Sequence, residues 1–405
     1  MRRTLIISVG TGIGPGSDAK ESLAHGLQRS INNFRPDHII YVISPESRES
    51  MLPLMLEKNP SRDHQVVELK NVDDIQKIFN ELRPIVEEAR ARSDELFIDF
   101  TSGTKAMTSS LAILGVLCEA DVLCNVVGER RNGIVQMGTE NVQSIPAGFA
   151  VAEKKLQTAL SMFNRHHYES TLSLLEELDR LTSEASLATR VAKLRLMSRA
   201  YLEWDRFNHE EAFSHLHLVE DDLFSGNKAF LGSLLHMEGS REDPRVKKAT
   251  YLLVDLLNNA MRRGDDEGKY DDAVARLYRA MELLAQRQLL THGIDSSDVR
   301  PEDVPAELRR SWEGLFVEGS AKIGLAHCYE LLTALGDPLG EFYRDEEVKE
   351  LLSTRNSSIL AHGLQSVNRE VYVTLRDLVA RKAKETTPKY GKLLEESKFR
   401  QMECL

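Results

Sequence analysis

Over the first third of the chain, short apolar runs alternate with amphipathic stretches. Residues 4–10 (TLIISVG), 38–44 (HIIYVIS), 64–70 (HQVVELK), 95–101 (ELFIDFT) and 121–128 (DVLCNVVG) are rich in β-branched and aliphatic positions and read as strands. The segments between them read as helices: 17–33, a stretch opening at Pro45, 71–93 with Pro84 as a kink, and 105–119. Strands alternating with helices imply a parallel-rich sheet covered on both faces over residues 1–147. Sheets of that kind take ligands at the carboxyl ends of their strands, where the loops gather.

After Pro146 the period changes. From 148 to 240 apolar residues recur every three to four positions, as in LQTALSMFNRHHYESTLSLLEELDRL, and a helical linker domain is expected. NRHHYEST and DRFNHEEA resemble the turns of stacked helical hairpins. The charged Gly/Pro break MEGSREDPRV (237–246) marks a second boundary, and residues 241–405 read as a further all-helical domain. Within it, 293–308 reads as a long connection between two helices.

Composition narrows the class. A chain of 405 residues with 41% hydrophobic content supports two or three cores. The formal net charge of −11 argues against a broad nucleic-acid-coating face, so any nucleic acid would be met in a local cleft. The first apolar run is too short for a signal segment, and no stretch reaches the length of a membrane span. Cys118, Cys124, Cys328 and Cys404 form no CxxC pair, which disfavours structural zinc and a disulfide framework. A cytoplasmic protein is expected.

Two loops carry candidate chemistry. SVGTGIGPG (8–16) joins the first strand to the first helix, where backbone amides can receive an anion. Pro15 stands where a dinucleotide fingerprint needs its last glycine, and the second strand ends at Ser44–Pro45 rather than at an acidic residue, so an NAD site is not indicated. DFTSGTKAM (99–107) ends the fourth strand. Its Thr101, Ser102, Gly103, Thr104 and Lys105 supply hydroxyls, a flexible backbone and a cation suited to phosphodiester oxygens, without Walker spacing. The plainer alternative is a capped helix start with a solvated lysine. Two such loops at one sheet edge favour a polyanionic ligand.

LLSTRNSSILAHGL (351–364) places Arg355 and His362 seven positions apart in a helix-like apolar run. At about 100° per residue both project from one side, roughly 10 Å apart along the axis. That is too far for direct contact, and it suits two copies meeting about a two-fold axis to pool two arginines and two histidines. Such a set can cleave RNA without metal: imidazole as general acid or base, guanidinium against phosphorane charge, Asn356 as an orienting group. An arbitrary Arg and His at this spacing is more often a solvated residue and a carbonyl-satisfied one. Arg276, Arg279 and Glu282 in the helix-like stretch 269–289 share a face and are a weaker candidate support for the cleft.

SVGTG and DFTSGTK resemble the CARF domain, the ligand sensor of CRISPR-associated proteins, and LLSTRNSSILAHG resembles the HEPN signature of an arginine and a histidine with four to six residues between them. GKYDDAVARLYRAMELLAQ resembles an earlier helix of the same HEPN region. The order of sensor, linker and HEPN resembles the accessory ribonucleases of type III CRISPR systems, the Csm/Csx class. The resemblance implies an α/β Rossmann-like CARF domain followed by all-α linker and HEPN domains. It also implies a homodimer that cleaves single-stranded RNA without metal, leaving a 2′,3′-cyclic phosphate, once a cyclic tetra- or hexa-adenylate binds the paired sensors. Carried over by position, Arg355, Asn356 and His362 would be catalytic. Gly10, Thr11 and Gly12, with Thr101 to Lys105, would line the activator pocket. No catalytic cofactor is expected; the cyclic oligoadenylate would act as allosteric activator. Two rivals remain: a ligand-responsive binding protein, which would need a basic recognition helix beyond 245, and a carboxylate–metal DNA nuclease, which would need strands in the C-terminal half.

Overall fold

The computed structural model describes residues 1–13, 19–131, 134–179, 185–236, 243–356, 358–360 and 363–404; at 131, 134, 355 and 356 it describes the backbone alone. By compactness the chain divides into a first unit of residues 1–158 and 174–191 and a second of 159–173 and 192–405. Among the described residues no helix is long and apolar enough to cross a membrane.

The first unit is built on strands β1 (Arg3–Val9), β2 (His38–Ile43), β3 (Asp63–Glu68), β4 (Glu95–Asp99) and β5 (Val122–Val127), with helices α1 (Ala19–Phe34), α2 (Pro45–Ser50), α3 (Leu52–Lys58), α4 (Ile75–Arg92) and α5 (Lys105–Leu117) between them. A short arm, β6 (Arg130–Arg131) with β7 (Ile134–Val135), precedes β8 (Asn141–Pro146). The sheet runs β3-β2-β1-β4-β5-β8, parallel except for β8, which returns antiparallel along β5. Ile6 of β1 registers with Ile40 on one side and Ile98 on the other. Alternation sends Ile6, Ile40, Val42 and Ile98 to the face covered by α4 and α5, and Leu5, Ile7, Tyr41 and Phe97 to the face covered by α1 and α3. Both faces are therefore buried over β1, β2, β4 and β5, which is why those strands read as continuous apolar runs, whereas the edge strand β3 is mostly exposed. Helix α4 stays helical on both sides of Pro84.

The chain winds from β1 outward to β3, then returns to β4 on the other side of β1. The crevice between the carboxyl ends of β1 and β4 is thus the switch point of the sheet, the place where such folds hold ligands.

The remaining elements are helices: α6 (Gly148–Asn164), α7 (Tyr168–Leu178), α8 (Ala185–Asp205), α9 (His209–His217), α10 (Ser225–Leu235), α11 (Pro244–Met261), α12 (Tyr270–Thr291), α13 (Ala306–Arg309), α14 (Leu325–Ala334), α15 (Glu346–Asn356), α16 (Arg369–Thr386) and α17 (Tyr390–Glu396). The two expected hairpin turns are alike in detail. His166 (φ 64°) and Phe207 (φ 63°) each take the left-handed conformation at a helix end. His166 N donates to Phe163 O (3.0 Å) and His167 N to Met162 O (3.0 Å); Phe207 N donates to Trp204 O and Asn208 N to Glu203 O, both at 2.8 Å. Both turns are Schellman caps.

In the second unit α11 and α12 pack along each other and against α16 and α17. The segment after α17 folds back onto the aromatic group of Tyr201, Trp204 and Phe399, where Asn164, Asn227 and Asn258 donate to the carbonyls of Met402, of Glu396 and Lys398, and of Leu394. The connection expected over 293–308 extends to Gly324, with Val299 and Ala321 bridged across it.

Candidate functional site

The two glycine-bearing loops are laced together before any ligand arrives. Ser102 Oγ accepts from Gly10 N (3.0 Å) and donates to Ser8 O (2.8 Å), joining the end of β4 to the end of β1. Gly10 is needed for this approach, since a Cβ there would sit 2.9 Å from Gly103 N. Thr101 Oγ1 accepts from Val126 N at 2.8 Å, tying the same loop to β5. Beneath it Asp99 is fully buried; its Oδ1 takes the Thr101 amide at 2.7 Å, while its Oδ2 has no partner among the described residues. Burial raises the Asp99 carboxyl above its ordinary value, with the hydrogen bonds around it offsetting only part of that. Burial likewise pushes up the adjacent Cys124 thiol, and the Asp99 charge adds to the effect.

A cavity of about 410 Å³ opens at this switch point. Gly10, Thr11, Gly12, Thr101, Ser102 and Gly103 line it, six of the eight positions expected from sequence. Thr104 and Lys105 are not in the lining. Thr104 caps α5 by accepting from Met107 N (3.2 Å) and its hydroxyl donates to Val72 O, while Lys105 opens the helix with its side chain exposed. Of the hydroxyls expected as phosphate contacts, that of Ser102 gives its proton to Ser8 O, while Thr101 Oγ1 serves as acceptor for Val126 N. Sequence reasoning missed Ser22 on α1, and Arg130 and Val135 on the β6–β7 arm, all of which line the same cavity. The Asn132–Gly133 dipeptide, a strong hairpin signal, would have found the arm.

The C-terminal candidate differs from its expected geometry. Helix α15 ends at Asn356, with Arg355 in its last turn, and residues 358–360 are not helical. Asn356 and Ser358 are short polar residues of the kind that compete with the helical backbone. The helix expected through 351–364 is therefore not continuous. The side chains of Arg355 and Asn356, and His362 altogether, lie outside the described residues. Around them, Ser358 is buried and bridges Gln365, and Gly363 N donates to Ser358 O at 3.2 Å. Val367 N donates to Asp271 Oδ1 (3.1 Å), fixing the following segment to the start of α12. Ile359, Leu360 and Leu364 are all more than half exposed, an apolar cluster on either side of His362.

On α12 the weaker candidates separate. Arg276 is drawn into a network with Asp272 and Asn259, and Arg279 pairs on the surface with Glu282 and Gln286, each at 3.0 Å. Among the described residues no group of three or more His, Cys, Asp and Glu gathers at metal-binding spacing.

Two family models match consecutive parts of the chain: the Csm6 6H domain over residues 151–238 and the Csm6 HEPN domain over 241–385. Together they span more than half of it. The chain belongs to the Csm6/Csx CARF–HEPN ribonuclease family. It is similar to the CRISPR system endoribonuclease Csm6 of Thermus thermophilus, 23% identical over 421 residues that span 93% of this chain and 86% of that protein. In fold it is similar to Enterococcus italicus Csm6 bound to cyclic hexa-2′-fluoro-hexa-dAMP, with a TM-score of 0.63, 15% identity and 98% of each chain covered. Its architecture is that of the Csm6/Csx family, a CARF-like sheet with flanking helices followed by a long helical, HEPN-like region. Membership implies a CRISPR-associated ribonuclease regulated by cyclic oligoadenylate, with RNA as its substrate.

Proposed function

We propose that the protein is a homodimeric, metal-independent endoribonuclease that cleaves single-stranded RNA when a cyclic oligoadenylate binds between its paired CARF domains. The domains are read as sensor 1–147, helical linker 148–240 and ribonuclease 241–405. The observation that carries this reading is the cavity at the sheet's switch point, formed by the loops of Gly10–Gly12 and Thr101–Gly103, in a chain whose HEPN-matched part contains Arg355, Asn356 and His362. A crevice of backbone and small polar groups suits a ring of phosphodiesters better than a single nucleotide, because it can be repeated by a two-fold partner. The exposed Ile359, Leu360 and Leu364 support pairing of the HEPN parts around His362.

In this reading His362 exchanges the proton of the attacking 2′-hydroxyl or of the 5′-oxygen leaving group. Arg355 balances charge on the phosphorane, and Asn356 orients the phosphate. The 2′-oxygen bonds phosphorus as the 5′-oxygen leaves, so one product ends in a 2′,3′-cyclic phosphate. The activator favours the arrangement in which both HEPN faces align, and it shifts that equilibrium only by its differential affinity. A six-membered ring is tested first because the Enterococcus italicus structure holds a hexameric analogue.

The test is cleavage of a fluorogenic single-stranded RNA in EDTA with no activator, cyclic tetra-adenylate or cyclic hexa-adenylate, beside His362→Ala and Arg355→Ala. Activator-dependent cleavage that both variants lose is expected. Tight ring binding with no cleavage would make the protein a ligand-responsive regulator, and cleavage persisting in His362→Ala would move the chemistry elsewhere.

A further inference from the structure

Among the described residues lining the switch-point cavity, Arg130 is the one charged side chain; the others are glycines, small hydroxyl residues and aliphatics. Lys105, the cation expected from sequence, is absent from that lining; the Ser102 hydroxyl donates to Ser8 O while accepting from Gly10 N, and Thr101 Oγ1 accepts from Val126 N. A ring of phosphodiesters in the cavity therefore meets a single guanidinium among small polar and aliphatic groups. Arg130 is exposed and makes no ion pair with any described residue, so its donors are open to a ligand. Guanidinium presents a planar fork of donors to phosphate oxygens and stays charged at any relevant pH.

The arm that carries Arg130 is closed at its base and fastened to α1. Gln136 N donates to Glu129 O (2.8 Å), and Thr139 Oγ1 accepts from Glu129 N (3.1 Å) while donating to Gln136 O (2.8 Å). Gly128 leaves no room at this base: a Cβ would lie 2.6 Å from the Val135 side chain and 2.9 Å from Thr139 Oγ1. On the α1 side, Ser22 Oγ donates to Val135 O at 2.5 Å. The Glu140 side chain, fully buried, meets His25 Nδ1 at 2.8 Å and takes Gly138 N at 2.7 Å. The returning side of the arm is thus held at two points against the helix that forms one wall of the cavity, and the outgoing side is tied to it at the base.

We infer that Arg130 is the phosphate-recognising residue of the activator site, and that the Ser22–Val135 and His25–Glu140 contacts are the clasp that positions it. The inference rests on the cavity being the activator site, and it adds the group that recognises the activator's charge. A two-fold partner would bring a second Arg130 to the opposite side of a symmetric ring.

The experiment measures binding of cyclic hexa-adenylate and cyclic tetra-adenylate to the full chain at several salt concentrations, for wild type, Arg130→Ala, Arg130→Lys and Glu140→Gln. Arg130→Ala should weaken binding roughly ten- to hundredfold, as loss of one charge-assisted contact does. It should also flatten the salt dependence and leave the melting temperature unchanged, because the side chain is exposed. Arg130→Lys should recover part of the affinity. Glu140→Gln keeps an acceptor for Gly138 N, and it should speed dissociation more than it slows association. If wild type binds a ring and Arg130→Ala binds it equally well with the same salt dependence, the inference falls while the cavity reading stands. If wild type binds neither ring, the cavity reading falls and takes the inference with it.

Discussion

Gly10→Ala isolates the contact on which the crevice at the sheet's switch point depends. Gly10 does not need a left-handed backbone, so alanine brings no conformational strain, only a methyl group. That methyl would sit 2.9 Å from Gly103 N and 3.5 Å from Ser102 Cβ, and the first of these neighbours is backbone that cannot rotate away. Restoring an ordinary contact requires the two loops to part by about half an ångström. The 3.0 Å bond from Gly10 N to Ser102 Oγ lengthens with them. Overpacking of this kind costs about 1–3 kcal/mol, and the entropy that alanine removes from the unfolded chain returns roughly 0.4–1 kcal/mol of it. The net loss, about 1–2 kcal/mol, corresponds to a melting temperature lower by roughly 2–8 °C. A crevice whose walls have moved apart should also need about tenfold more activator for half-maximal cleavage, one factor of ten being about 1.4 kcal/mol. Gly391→Ala is the control, since a Cβ there meets nothing within 4 Å; it should melt and respond like wild type. The assays are thermal unfolding and an activator titration of RNA cleavage. An unchanged melt and titration for Gly10→Ala would mean the loops do not touch as described. A lowered melt with an unchanged titration would mean the crevice is not where the activator binds.

Asp99→Asn keeps an oxygen for the Thr101 amide and removes a carboxyl that burial holds protonated above its ordinary value of 3.8. A carboxyl raised in this way favours folding while it is neutral and loses that contribution as pH climbs from the unfolded value through the folded one. The variant should therefore gain stability over wild type between melts at pH 4 and pH 7, and a gap independent of pH would refute the assignment. Phe399→Ala should cost about 3–5 kcal/mol in urea unfolding, because it empties a ring stacked on Tyr201 at 4.1 Å. It also uncovers the Arg262 guanidinium, which lies 3.6 Å above the ring centroid with Nε and Nη1 unpartnered by any other described group. An unfolding midpoint matching wild type would show that the C-terminal segment does not pin the helices.

Sequence reading found β1, β2, β4 and β5 because both faces of the sheet are buried there, which leaves aliphatic runs, and found the exposed edge strand β3 by its Val66–Val67 pair between helical stretches. It missed the β6–β7 arm, whose strands are two residues each and carry Arg130 and Arg131, and β8, which is six residues long but mostly exposed and carries Asn141, Gln143 and Ser144. That omission hid Arg130, because a residue's place in a cavity depends on how an antiparallel return lays it beside α1, and no local pattern records this. The glycines at 10, 12 and 103 were legible as loop residues, yet the purpose of the adjoining hydroxyls was misjudged. A serine that binds a ligand and a serine that binds a neighbouring loop look the same in sequence. At the C-terminus Ile359, Leu360 and Leu364 continue the apolar period of α15 in sequence, yet the helix ends at Asn356 and these three are exposed, so their periodicity is not that of a buried face.

These corrections bear on how the crevice distinguishes ligands. Had Lys105 also faced the cavity, any phosphate would have found a second cation there, and mononucleotides would compete more strongly with a ring. With Lys105 outside the lining and the Ser102 proton given to Ser8 O, each half-site of the proposed pair offers one guanidinium on a clasped arm beside small polar groups. One such contact binds a single phosphate weakly. Two of them, set a fixed distance apart by a two-fold axis, bind a rigid ring far more tightly than either alone, because the second contact is made at high effective concentration. In this arrangement ring size is selected by the separation of the two Arg130 positions. A linear oligoadenylate of the same charge should accordingly bind more weakly than the ring by well over tenfold, since it must lose chain entropy to span both arms. Equal affinity for linear and cyclic forms would sink the argument from paired half-sites, whatever the fate of Arg130 itself.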